Sequence, residues 1–99
     1  MVSLESIQNA QGIITQLAVR TPQIHSAYFS ELFASKIILK AENLQRTGAF
    51  KIRGAVNKLH SLGATRNNGV VTGSAGNHGQ ALALAAQFFG IPCEIYVPK

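Results

Sequence analysis

A chain of 99 residues, 46% of them apolar and 13% charged, has the material for one small core and too much hydrophobicity for an intrinsically disordered segment. Its formal charge of +5 comes from nine Lys and Arg against four acids, all Glu, but Trp is absent and no helix-turn-helix, zinc or RNA-reading pattern accompanies the charge, which argues against a nucleic-acid binder. No apolar run approaches the ~20 residues of a membrane span, the first residues lack a basic stretch followed by an apolar one, and the lone Cys93 cannot close an internal disulfide, so a soluble, cytoplasmic protein is expected.

From the first residues, Leu4, Ile7, Ala10, Ile14, Leu17 and Ala18 recur at helical spacing, with Ser3 available as N-cap and Glu5 in the first turn. The spacing predicts a helix that stops before Arg20-Thr21-Pro22, where proline favours extended geometry and a turn or short strand. A short helix is expected around Ser26 to Ala34. The apolar run Ile37-Ile38-Leu39 then predicts a strand over Lys36 to Glu42, buried in a parallel sheet.

Ile52, Ala55, Val56 and Leu59 form an i, i+3, i+4, i+7 stripe, which predicts a helix from about Phe50 to Ser61 with Gly63 just past its end. Arg66 to Gly69 reads as a loop, Val70 to Thr72 as a second buried strand, Gln80 to Phe89 as a helix closed by Gly90 and Pro92, and Glu94 to Val97 as a third strand. The order β, α, β, α, β implies an α/β fold with parallel strands and right-handed crossovers.

Two segments carry candidate chemistry. Gly73-Ser74-Ala75-Gly76-Asn77-His78-Gly79 lies between a strand and a helix, so its N–H groups would face an anion at the positive end of that helix. Its glycine spacing is not that of a dinucleotide fingerprint, and no Gly-Lys-Ser/Thr triplet follows for a phosphate loop. A site for a carboxylate or small anion remains, beside the plainer possibility of a tight turn that packs helix on strand. The polar trio Ser74, Asn77 and His78 favours binding.

Lys51 stands at the start of the second predicted helix, between Phe50 and Ile52. A lysine withdrawn from water becomes an amine nucleophile able to form a Schiff base, whereas a lysine in a first helical turn is ordinarily a surface residue. Residue type alone leaves both open. The bases Lys36, Lys40, Arg46, Lys51, Arg53 and Lys58 cluster in one stretch, either facing an anionic partner or forming a solvated face. His25 and His60 have no ligand or nucleophile partner at useful spacing, and no metal cluster is visible.

Taken together, Glu42-Asn43-Leu44-Gln45-Arg46-Thr47-Gly48-Ala49-Phe50-Lys51-Ile52-Arg53-Gly54-Ala55 resembles the cofactor-lysine motif of the threonine/serine dehydratase and serine racemase family of pyridoxal 5'-phosphate enzymes, and Ser74-Ala75-Gly76-Asn77-His78-Gly79-Gln80 resembles its substrate loop. The resemblance covers the chain from about Ile7. It implies a fold type II, tryptophan synthase β-like architecture, a three-layer αβα parallel-sheet fold of which this chain is the amino-terminal portion. Residues to about Ser61 would begin a large domain and those from Gly69 a smaller one.

The same resemblance implies that Lys51 carries the cofactor as a Schiff base, that Phe50 packs on its ring and that Asn77 bonds its phenolic oxygen. The amides of Ser74, Ala75, Gly76, Asn77 and His78 would hold the substrate carboxylate. The implied reaction is a deaminating β-elimination of L-threonine or L-serine to a 2-oxo acid and ammonia, in an enzyme that is a homo-oligomer when full length. A serine racemase-like enzyme, or an inactive relic serving as an interaction module, is the alternative; Ala75 disfavours the racemase, since the racemases of this family carry Ser there as an acid/base. The family's glycine-rich phosphate loop and pyridine-nitrogen partner are not in these residues, so the isolated chain is expected to be inactive.

Overall fold

A computed structural model describes residues 2–99. Helix α1 spans Leu4–Ile14, opened by a reciprocal capping box in which the Ser6 N–H donates to Ser3 Oγ and the Ser3 N–H to Ser6 Oγ. It ends earlier than its apolar spacing implies. The chain turns there, with the amides of Leu17 and Ala18 both reaching the Ile14 carbonyl, and Ala18 enters the core.

Pro22 is followed by β1, Gln23–His25, and then by α2, Ala27–Leu32, capped by Ser26. The strand expected over Lys36 to Glu42 is shorter, Ile38–Lys40, and this β2 pairs antiparallel with β1, Gln23 opposite Lys40 and His25 opposite Ile38. All three of its residues are exposed, so its placement in a buried parallel sheet is corrected. An apolar run signals a strand but not its partner, and α2 is short enough to bring β1 alongside first.

The second half follows the expected α/β alternation. Helix α3 is Lys51–Ser61, β3 is Val70–Gly73, α4 is Asn77–Phe89 and β4 is Cys93–Tyr96. Strands β3 and β4 are parallel, with Val70 opposite Cys93 and Gly73 opposite Tyr96, and α4 is the crossover. Gly63, at φ 54°, takes the left-handed conformation just past α3 as expected, and the loop expected before β3 is wound as a 3-10 helix, Gly63–Asn68. Gly90, at φ 66°, closes α4 in the left-handed conformation that glycine adopts without strain.

The core lies where α3 packs on α4. The predicted stripe Ile52, Ala55, Val56 and Leu59 is buried against Ala81, Leu82, Ala85 and Ala86. The alanines let the two helices approach closely.

Candidate active site

Four segments meet behind the start of α3. The Gln45 side chain, 5% exposed, docks on the backbone of Val19, taking its N–H at 2.9 Å and giving to its carbonyl at 2.7 Å. Arg53 forks onto Glu42, Nε to Oε2 at 2.9 Å and Nη2 to Oε1 at 2.8 Å, and Nη2 also donates to the Val19 carbonyl. The buried Thr21 hydroxyl donates to Glu42 Oε1, while Lys40 gives to the Thr21 carbonyl. Hydrogen bonding from Arg53 above all, with that from Thr21 added and burial opposing, holds the Glu42 carboxyl down at about 2.

These contacts resolve the meaning of the basic stretch. Lys40, Arg46 and Arg53 are spent on intramolecular bonds, Arg46 donating to the Leu17 carbonyl at 2.8 Å. Lys36, Lys51 and Lys58 form no ion pair among the described residues. The stretch is therefore neither one anion site nor wholly a solvated face.

Lys51 is the first residue of α3, as expected, with Phe50 as N-cap. Its side chain is exposed rather than withdrawn from water, and Nζ has no polar partner among the described residues; it stands over the Phe50 ring, 5.7 Å from the ring centre. Phe50 and Lys51 border a cavity of about 370 Å³ whose other walls include Leu59 of α3, Thr72 of β3, and His78 and Leu82 of α4. The two sequence segments thus meet at one cavity, through His78.

Across from Lys51, the turn between β3 and α4 is held from inside by Ser74. Its Oγ accepts from the Gly76 N–H at 3.3 Å and the Gly79 N–H at 3.1 Å, and its own amide donates to the Tyr96 carbonyl at 3.0 Å. Among the five amides expected to grip a carboxylate, those of Ser74 and Gly76 are engaged in this way. The amides of Ala75, Asn77 and His78 have no acceptor among the described residues, and the last two are the first turn of α4, where the helix dipole favours an anion. Ser74, Ala75 and Gly76 also line a different hollow, of about 270 Å³, and do not reach the Lys51 cavity.

Two contributions were not visible in the sequence. A Cβ on Gly79 would stand 2.8 Å from the Ser74 carbonyl oxygen and 3.3 Å from Ile95 Cγ2, so that glycine is what allows α4 to close on the turn. The Glu42–Arg53 pair joins residues whose proximity no local spacing specifies; its one signal was an acid placed within a basic stretch. No group of three or more potential metal ligands exists among the described residues, and burial raises the Cys93 thiol, in keeping with a small core hydrophobe.

A family profile described as "Pyridoxal-phosphate dependent enzyme" matches residues 14–99. The chain is 50% identical over 100 residues to an L-threonine ammonia-lyase of Thermotoga maritima, covering all of this chain and 25% of that protein. It superposes on the crystal structure of serine racemase from Dictyostelium discoideum with a TM-score of 0.90 at 40% identity, covering 99% of this chain and 33% of that one. On the crystal structure of a T.th. threonine deaminase the TM-score is 0.83 at 38% identity, covering 99% and 32%. The chain spans about a quarter to a third of these relatives' length.

Proposed function

The chain belongs to the pyridoxal-phosphate dependent enzyme family, and from that premise we propose that the protein carrying it is a hydroxy amino acid dehydratase that releases ammonia from L-threonine or L-serine. Its fold is the parallel-sheet, tryptophan synthase β-like one of that family, represented here by part of the whole. The observation that carries the reading is the cavity shared by Lys51 and His78, at the seam where α3 meets β3 and α4, with the open amide of His78 belonging to a residue of its wall.

The residues fit the cofactor the family uses. Lys51 Nζ is not tied to any other group, an aromatic ring lies beside it, and the cavity falls within the ~300–1,000 Å³ of typical cofactor sites. Lys51 would hold the cofactor, Phe50 would pack on its ring and Asn77 would bond its phenolic oxygen. Bound pyridoxal phosphate supplies an aldehyde that condenses reversibly with amines and a ring that absorbs negative charge from Cα.

The chain's own groups then divide the remaining work. The amides of Ala75, Asn77 and His78 orient the substrate carboxylate at the positive end of α4. Lys51 Nζ would also be the base that accepts the Cα proton on its own face. Inverting that centre would need a second proton donor on the opposite face. Ala75 offers only a methyl group, which favours elimination over racemisation. In the same reading, residues to about Ser61 open a larger domain, residues from Gly69 a smaller one, and the complete protein is a cytoplasmic homo-oligomer.

The test is to supply the full-length holoenzyme with each amino acid and measure ammonia, 2-oxo acid and the D-isomer. Ammonia and 2-oxo acid are expected in equal amounts, and K51A should lower the rate by about 10³-fold or more. Formation of the D-isomer without ammonia would make the protein a racemase, and neither product would reject the reading.

A further inference from the structure

Little within α3 holds the turn that bears Lys51. Phe50 gives no side-chain acceptor to the first amides, and no acid lies in the first turn. A helix start without a cap opens readily. One charged side chain of that turn is anchored outside the helix: Arg53, two residues beyond Lys51, on Glu42. The anchor is bidentate and charge-assisted, the geometry in which an ion pair fixes direction as well as distance. Glu42 is itself fixed by Thr21, 3% exposed, and Arg53 additionally by the carbonyl of Val19, whose backbone Gln45 grips from both sides. Lys51 Nζ has no polar contact of its own among the described residues, so the direction of its side chain depends on the backbone that carries it.

We propose that Glu42 and Arg53 form a positioning clamp that holds the first turn of α3 and, through it, the reach of Lys51 into the cavity bordered by His78. The catalytic consequence rests on the function proposed above; the mechanical one does not. Two variants of the full-length protein separate them. E42Q keeps the shape and removes the charge, and R53K keeps the charge but cannot present the fork.

Hydrogen exchange in the cofactor-free protein is expected to accelerate about tenfold or more at the amides of Arg53 to Val56 in both variants, with those of Ala81 to Ala86 unchanged. In the holoenzymes, kcat should fall about tenfold with KM held within about twofold, the split of a misplaced group rather than a lost binding contact. Unaltered exchange in the first turn of α3 would overturn the clamp. So would acceleration shared equally by α3 and α4, or failure of both variants to fold, since either assigns the pair to general stability. Should the parent protein lack dehydratase activity, the proposed function falls while exchange still decides the clamp.

Discussion

Glu42 shows how a single residue's environment can be at odds with its surroundings in sequence. It lies among six bases, yet it has one dominant partner, Arg53, which with Thr21 holds its carboxyl at about 2 against an ordinary 4.5. A carboxyl depressed on folding contributes stability that is complete above the unfolded value and is lost as pH falls from about 4.5 through about 2. Unfolding free energy measured across that window should drop more steeply with acid in the parent than in E42Q. Parallel curves for the two would show that the pair contributes nothing to folding. At this scale Lys51 was legible because its neighbours resemble a known motif, and its exposure is that of an ordinary first-turn lysine rather than of one withdrawn from water.

Among the elements, α3 and its buried stripe were legible because apolar spacing and a closing glycine give the same answer. The start of α4 was not: Asn77, His78 and Gly79 are poor helix formers, and they are helical because the Gln80 amide closes on the Gly76 carbonyl at 3.2 Å while Ser74 holds the Gly79 amide. Strand β2 was visible as a strand and β1 as the turn or short strand expected after Pro22, but their antiparallel pairing was not. Gly79 is where sequence and packing meet most tightly. Because an added methyl would press on backbone rather than on a side chain able to turn away, G79A should destabilise the protein by about 1–3 kcal/mol and loosen the turn. Denaturant unfolding of the full-length protein measures this, and an unchanged midpoint would mean that α4 can shift without cost.

On the scale of the whole molecule, the radius of gyration is 16.1 Å, against the ~13 Å of a compact domain of this length. Tyr28, Phe33 and Val71 stand 71%, 62% and 66% exposed, even though the rings of Tyr28 and Phe33 both pack against Phe29. Both features suit a chain that spans 25 to 33% of its relatives. The α/β class was legible from the alternation of elements; the open shape was not, because hydrophobic patterning marks which faces are to be buried without saying what buries them.

The most direct measurement is to load the full-length protein with pyridoxal phosphate, reduce it with borohydride and map the modified peptide. Label on the peptide containing Lys51, absent in K51A, is the expected result. Label confined to Lys36, Lys58 or a lysine elsewhere, or no label in an active holoenzyme, would contradict the assignment of this cavity as the catalytic one.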